Sequence, residues 1–342
     1  MTMSELRFSS PPPAPAPRPV TSARTRAAEP ARVAAEGRAP GPAARLPEVA
    51  LPAYGTSRRS GSWYLDREDG NQLAPNPVRV TQALLGMSHP YEADEWMLRR
   101  LLEVLPDVAE LARAPYRCHE RVLRYLASHA GIAQFVLADL LVPPGQPLHT
   151  DIRHHAPDAT ICYIGTEPLA LAHARALLTE DNVFVDDADI LLPDTLTVLP
   201  DLDFDRPVAV LLGTAISHCD DPAARALLAR YTQILAPGSI LVISGHTAPA
   251  AGPRAAIARA VADIHATCGL EPLRFRIIPQ LNALLPDTLT ALPPGPHQPG
   301  GFVPCDRWWP PGPQLDLAPA RATARMVSTV VARIEPTTNT EH

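Results

Sequence analysis

The chain has 342 residues, 46% of them apolar, and is therefore long enough for one large domain with appendages. Its net charge of −6 is uneven, because residues 1–60 hold nine arginines and four glutamates, a charge of +5, so that residues 61–342 carry −11. An acidic body disfavours nucleic-acid binding, since neutralising phosphates requires a basic face.

Lysine does not occur in the sequence, and all 30 basic residues are arginines. This excludes the phosphate-binding lysine of P-loop enzymes, Schiff-base chemistry and kinase-type phosphoryl transfer. The five cysteines form no CxxC and no metal-ligand spacing, and their odd number is typical of a reducing compartment. Since no run of 18 or more apolar residues occurs, we predict no membrane span. We also predict a cytoplasmic protein, and the lack of metal-ligand spacing predicts no bound metal.

Residues 1–60 are rich in Pro, Ala and Arg and have too few large apolar groups to offset the entropy of ordering, which predicts a disordered tail. Residues 61–131 form a predicted N-terminal helical segment, with apolar positions at helical spacing within residues 91–105 and 115–130. We expect this segment to pack on the core and to close over a ligand site. Residues 336–342 form a second, short tail.

Within residues 132–335, strand-like and helix-like segments alternate. Segments that predict strands lie at residues 134–141, 160–164, 182–186, 208–212, 240–244, 288–292 and 326–334. Helical patterns lie between them at residues 168–177, 223–235 and 254–268. This alternation predicts an α/β fold with a doubly wound, mostly parallel, seven-stranded Rossmann-like sheet. Residues 273–278 alternate like a strand, but Pro279 and the LNALL that follows fit a helix equally well.

The order of these pieces resembles a known family, the actinobacterial methyltransferases of unassigned substrate that depend on S-adenosyl-L-methionine (SAM) and have the class I methyltransferase fold. The matching segments run in the family's order from about Pro75 to Trp309. They read PNPVRVTQALLG, LPDVAELARA, RVLRYLASHAGIAQF, APDATICYI, EPLALAHARALL, LDFDRPVAVLL, LAPGSILVIS and RWWP. The resemblance implies SAM as cofactor and the transfer of its methyl group to an acceptor that the sequence does not identify.

The cofactor motifs that the resemblance implies are degenerate in this chain. The family's first strand ends in an Asp followed by a Gly-x-Gly turn, and the matching positions hold Leu137, Asp139 and Leu141. Side chains thus replace both glycines, and we expect them to obstruct the close approach of backbone to cofactor. After the second strand, the family's ribose-binding Asp is replaced by Gly165.

Thr166 and Glu167 follow Gly165, and Glu167 reaches a ribose only if the turn shifts. The acidic group after the third strand, Asp187 to Asp189, is retained and could bind the adenine amino group. Gly213 and Thr214, after the fourth strand, suit either a ligand-side turn or the entry to a helix. The candidate cofactor-binding residues are Asp139, Gly145, Gly165, Thr166, Glu167, Asp187, Ala188, Asp189, Gly213 and Thr214.

Three further groups have two interpretations each. His218 fits a general base, or a loop in which an Asp caps the helix that begins near Pro222. Trp308 and Trp309 fit either stacking on a planar ligand or packing of the C-terminal loop. The three histidines of residues 149–155 fit a metal site, or the solvated face of a surface helix, which we favour because no carboxylate stands at a fixed spacing; they are His149, His154 and His155.

We therefore predict a SAM-dependent methyltransferase with weakened cofactor binding and a small-molecule acceptor. Methyl transfer from a sulfonium asks mainly that the acceptor be positioned, so the lack of an identified catalytic residue does not exclude activity. The alternative is an inactive methyltransferase-fold protein that acts as a binding or interaction module. Leu137, Leu141 and Gly165 are the residues that distinguish the two. A nicotinamide-dependent oxidoreductase is disfavoured because no GxGxxG motif occurs.

Overall fold

The computed structural model describes residues 74–87, 90–142, 147–270, 272–309 and 322–336. The predicted N-terminal tail lies outside these residues, and so does the predicted C-terminal tail except for Pro336. The predicted limits of the domains therefore stay predictions.

One sheet forms the centre of the described part of the chain. Its strands are β1 (Gln134–Leu137), β2 (Thr160–Gly165), β3 (Val183–Asp187), β4 (Ala209–Gly213), β5 (Ile240–His246), β6 (Leu289–Ala291), β7 (Val303–Pro304) and β8 (Val327–Ile334). They lie in the order β3-β2-β1-β4-β5-β8-β6, with β7 also paired to β8. The first five strands are parallel, whereas β8 runs antiparallel to β5, β6 and β7. The predicted α/β fold with a mostly parallel sheet is confirmed.

Helices cover both faces of this sheet. They are α1 (Pro77–Leu84), α2 (Glu92–Val104), α3 (Glu110–His129), α4 (Leu148–His155), α5 (Pro168–Leu177), α6 (Asp221–Ile234), α7 (Pro253–Thr267) and α8 (Ile278–Asn282). Successive side chains of a strand point to opposite faces. Accordingly, Phe135 and Leu137 of β1 belong to the core beneath α1–α5 and α7, and Val136 belongs to the core beneath α6 and α8. None of these described helices is long and apolar enough to cross a membrane.

The end of β1 differs from the prediction. We expected a strand over residues 134–141, but β1 ends at Leu137, and the chain enters a single 3-10 turn, Ala138–Leu140. The reason is that Leu140 has a φ of 47°, in the left-handed region, which cannot continue a strand. The apolar character of the segment reflects burial of this turn rather than a longer strand.

The described chain forms eight strands, seven of which make up the main path of the sheet, in agreement with the predicted seven-stranded sheet. The additional strand, β7, has two residues and lies in what the sequence suggests is a Pro/Gly loop. Val303 and Pro304 pair with Thr329 and Ser328 of β8. Proline lacks an N–H, so a short strand off the main path of the sheet is the kind of place that accepts it.

The structure decides between the two interpretations of the segment around Pro279. This segment is a helix, α8, and among the described residues the strand alternative survives as one parallel bridge between Thr247 and Arg276. Helix α3 begins at Glu110, ahead of the expected start at Pro115, which lies inside it.

Candidate functional site

A cleft lies where the carboxyl ends of β1, β2 and β3 meet α1. Its empty space is about 310 Å³, including the part that is open to solvent. The cleft is lined by Val78, Leu140, Ile164, Gly165, Thr166, Glu167, Ala188, Asp189 and Ile190. Five of these are candidate cofactor-binding residues from the sequence, and they are Gly165, Thr166, Glu167, Ala188 and Asp189.

The exit of β2 contributes a partnerless hydroxyl. β2 ends at Gly165, and Pro168 begins α5, so that Thr166 and Glu167 form the turn between them. The Thr166 Oγ1 atom is buried and has no hydrogen-bond partner among the described residues. A buried hydroxyl without a partner loses the hydrogen bonds that water would give it, which makes it a candidate ligand contact.

The exit of β3 contributes a carboxylate. Asp189 is buried, and its Oδ1 accepts a hydrogen bond from the Leu191 N–H at 2.8 Å. Its Oδ2 is buried without a hydrogen-bond partner in the described chain. Burial raises the pKa of the Asp189 carboxyl, the charge of nearby Asp187 raises it further, and the Leu191 N–H opposes both. Asp187 itself ends β3 and is exposed.

These two oxygens stand on neighbouring strand ends, because β2 and β3 are paired with Gly165 opposite Asp187. A ligand that satisfies both needs a hydrogen-bond donor for the carboxylate and a polar group for the hydroxyl. The adenosyl part of SAM has an amino group and ribose hydroxyls, so the residues present fit this cofactor.

Glu167 is held in place by an arginine of α1. The Arg79 Nη1 donates to Glu167 Oε1 at 3.1 Å, and the Arg79 Nε donates to Asp94 Oδ2 at 2.8 Å. Glu167 Oε2 accepts from the Ala170 N–H at 2.5 Å and so caps α5. Burial alone would lower the pKa of Arg79, but the hydrogen bonds and charges of Asp94 and Glu167 raise it above its usual value. Both oxygens of Glu167 are thus engaged, and α1 is tied to the rim of the cleft.

Leu140 was not among the residues predicted from the sequence, where Leu137 and Leu141 were considered instead. Leu137 is fully buried in the core, and Leu141 packs partly buried against the same core. Neither lines the cleft, whereas Leu140 does. The available signal was its position between the two residues that replace glycines. Val78, Ile164 and Ile190 complete the lining and carried no signal beyond their apolar character.

The other candidate cofactor residues include Asp187, Gly213 and Thr214, which are not part of the cleft lining. Asp139 belongs to the 3-10 turn after β1, and Gly145 is outside the described residues. Gly213 ends β4 with a φ of 54°, and Thr214 follows it at the start of the next turn. Their roles stay predictions.

A histidine cluster lies at the carboxyl ends of β4 and β5. His218 follows β4, His246 ends β5, and His265 belongs to α7, with the rings of His218 and His265 centred 6.4 Å apart. The Nδ1 atoms of His246 and His265 are buried and have no hydrogen-bond partner in the described chain. Burial is the main cause that lowers the pKa of His246 and His265 to about 3 and that of His218 to about 4. The three imidazoles are therefore neutral at pH 7.

The alternative that gave His218 a loop position beside a helix cap agrees with the structure, because Asp220 accepts from the Ala223 N–H at 2.8 Å and caps α6. His246 and His265 were not among the residues predicted from the sequence. A histidine at a strand end was the available signal for His246.

The histidines of α4 do not share one environment. His154 and His155 are exposed, as predicted, but the prediction was wrong for His149. His149 faces β2, because the amphipathic helix turns it inward, and its Nδ1 lies 3.1 Å from the Tyr163 hydroxyl while its Nε2 lies 3.2 Å from Glu180 Oε1. Among the described residues, no group of three or more His, Cys, Asp or Glu is arranged to hold a metal ion.

The C-terminal tryptophan pair packs on the body of the protein. Trp308 is buried, and its ring meets that of Tyr125 edge-on at 5.8 Å between centroids. Trp309 lies under the guanidinium of Arg121, 4.8 Å from the ring centroid. The packing interpretation is confirmed for Trp308.

The strand order, with a parallel five-strand half followed by an antiparallel β8 next to β5, defines the class I methyltransferase fold. Comparison with known proteins agrees: a family model of S-adenosyl methyltransferases matches residues 66–335. The match covers more than three quarters of the chain, and the chain belongs to this family.

Two solved structures are similar over most of the chain. A candidate methyltransferase from Thermobifida fusca YX is 26% identical with a TM-score of 0.65, covering 77% of this chain and 96% of that one. A DUF574 family protein from Streptomyces avermitilis MA-4680 is 24% identical with a TM-score of 0.67, covering 78% of this chain and 100% of that one. No curated protein matches.

The chain is thus a SAM-dependent methyltransferase of unknown acceptor, and SAM is its cofactor. The family and the cofactor predicted from the sequence are confirmed. The alternative of an inactive binding module gains no support from the comparisons.

Proposed function

We propose that the cleft beneath α1 holds the adenosyl part of SAM. Asp189 Oδ2 would accept from the adenine amino group, and Thr166 Oγ1 would bind a ribose hydroxyl. The observation that carries this proposal is that both oxygens are buried without a partner in the described chain and belong to residues that line the cleft. Gly165 and Ala188 line the cleft with little side-chain volume. Asp139, Gly145, Asp187, Gly213 and Thr214 remain candidates for cofactor contacts.

When bound, SAM supplies a methyl group on a sulfonium. The chain must then orient the acceptor and exclude water. Helix α1 covers the cleft with Val78 and is fastened there by Arg79. We propose that the acceptor binds toward β4 and β5, which adjoin β1 on the side away from β2, and where the neutral imidazoles of His246 and His265 can accept a hydrogen bond from a hydroxyl or amino group.

We propose a small-molecule acceptor and a cytoplasmic location. The charge of −11 on residues 61–342 disfavours a nucleic-acid acceptor, whose phosphates need a basic face. The odd number of cysteines, with all five as free thiols, suits a reducing compartment.

Calorimetric titration with S-adenosylhomocysteine tests the assignment. We expect micromolar binding by the unaltered protein and weaker binding, by about 10-fold or more, for Asp189→Asn, because a buried hydrogen bond to a charged group is lost. Asp181→Asn is the matched control, since this exposed carboxylate precedes β3 at the opposite end of the strand from the cleft, and it should bind normally. A DNA duplex should give no heat.

Equal affinities of the two variants would show that Asp189 does not contact the ligand. If neither the unaltered protein nor a variant with an enlarged cleft gave heat at millimolar S-adenosylhomocysteine, the cleft would not be a cofactor site, and the inactive binding module would be the better account.

A further inference from the structure

Leu140 has a backbone conformation that leucine rarely adopts. Its φ is 47°, and left-handed residues other than glycine are uncommon, because Cβ approaches the following carbonyl oxygen. The turn is held from outside, since its carbonyl accepts a hydrogen bond from the Nε2 of buried Gln82 in α1 at 3.3 Å. Strained residues of this kind often mark functional sites.

The conformation directs the leucine side chain onto Gly165. A Cβ atom placed on Gly165 would lie 2.6 Å from Leu140 Cδ1 and 2.8 Å from Leu140 Cγ, both closer than carbon atoms approach in proteins. Gly165 is not needed for its backbone, because its φ is not among the positive ones. The Leu140 side chain therefore fills the space that a side chain at residue 165 would occupy.

This leucine also stands in the cleft with the partnerless oxygens. Leu140, Gly165, Thr166 and Asp189 all line the same small space, and Leu140 is 1% exposed. An apolar side chain beside two buried polar groups satisfies neither of them. A polar ligand that pairs with both oxygens competes with the leucine for room.

We propose that Leu140 is a plug in the nucleoside site, which an adenosyl ligand displaces, and that the Leu140–Gly165 pair sets the affinity of this chain for SAM. The inference rests on the proposed cofactor cleft and deepens it. Displacement of a packed side chain opposes binding, so a smaller residue at position 140 binds adenosyl ligands more tightly.

Calorimetry with S-adenosylhomocysteine on Leu140→Ala tests the plug. Alanine retains a Cβ at the same left-handed position and removes only the side chain that covers Gly165. We expect at least 10-fold tighter binding, with folding checked by circular dichroism at the assay temperature. Leu141→Ala is the matched control, since this neighbour packs on the core outside the cleft lining, and its affinity should stay within about twofold of the unaltered protein.

The pairing with Gly165 is tested by adding a carboxylate there. We expect Gly165→Asp alone to lower the melting temperature, because its Cβ meets Leu140, and the Leu140→Gly/Gly165→Asp double variant to recover it. If a folded Leu140→Ala binds no more tightly than the unaltered protein, or Leu140→Gly fails to relieve Gly165→Asp, the plug is refuted although the cofactor cleft stands. Absence of binding by the unaltered protein and every variant would refute the cleft itself, and the plug with it.

Discussion

His246 shows what burial does to an ionisable side chain in this protein. The residue is 8% exposed at the end of β5, and its ring packs edge-on against Phe275 at 5.2 Å between centroids. Burial, followed by the charges of His218 and His265, lowers its pKa to about 3. A free histidine has a pKa near 6.5, so folding withholds a proton that the unfolded chain would bind.

The sign of the effect on stability follows from linkage. Between about pH 6.5 and the lowered pKa, the unfolded state binds more protons than the folded state. The stability that comes from keeping His246 neutral is therefore fully present above about pH 6.5, and it is lost as the pH falls toward the lowered pKa. Each such histidine adds about 1.4 kcal/mol per pH unit to the slope of the free energy of unfolding against pH.

We expect His246→Phe, which cannot titrate, to reduce this slope by about that amount between pH 6 and pH 4.5, as measured by urea unfolding. His154→Gln, a change on the exposed face of α4, should leave the slope unaltered, and an unaltered slope in His246→Phe would contradict the account.

At the scale of elements, α1 and α5 are joined by buried charge. Arg79 is 4% exposed and pairs with Asp94 of α2, 0% exposed, and with Glu167 at the start of α5, 3% exposed. The guanidinium also lies over the Tyr91 ring, 5.1 Å from its centroid. The ion pair between Arg79 and Glu167 fixes α1, which covers the cleft, to the end of β2, which lines it.

Removing the arginine leaves two buried carboxylates unpaired, and Arg79→Met should therefore cost about 3–5 kcal/mol in the free energy of unfolding. Arg100→Met is the control, because Arg100 pairs with Glu103 on the exposed face of α2, and it should cost no more than about 0.5 kcal/mol. Urea unfolding at pH 7 measures both. Similar losses for the two variants would mean that the buried network does not stabilise the fold.

The elements that the sequence predicts well are those encoded by local runs. β2, β4 and β5 each coincide with a continuous apolar run, because a parallel strand buried on both faces needs such a run. Each of the three begins within one residue of its predicted start. The end of β1 was not predictable in this way, since it depends on the φ of Leu140 and on a hydrogen bond from α1.

The residues of the candidate site also divide into those that a local sequence pattern predicts and those that depend on contacts in the assembled sheet. Asp189 and Thr166 were found because they follow strands in the family's order. The Arg79–Glu167 pair joins residues 88 apart in the sequence, and the contact of Leu140 with Gly165 joins two strand ends. Both arise only when the sheet assembles, so no local pattern marks them.

At the scale of the whole molecule, the sheet order separates two sites on one edge. β1 lies between β2 and β4, so the chain proceeds outward in both directions from this point. Ligands of open α/β sheets bind at such a switch point. The cleft with Asp189 lies on the β2–β3 side and the histidine cluster on the β4–β5 side, an arrangement that suits a cofactor and an acceptor meeting near β1.

A crystal structure of the protein with S-adenosylhomocysteine tests this account most directly. We predict that the adenosyl group lies between α1 and the ends of β2 and β3, with its amino group within hydrogen-bond distance of Asp189 and the Leu140 side chain moved off Gly165. A nucleoside bound elsewhere, or bound in the cleft with Leu140 still against Gly165, would contradict it.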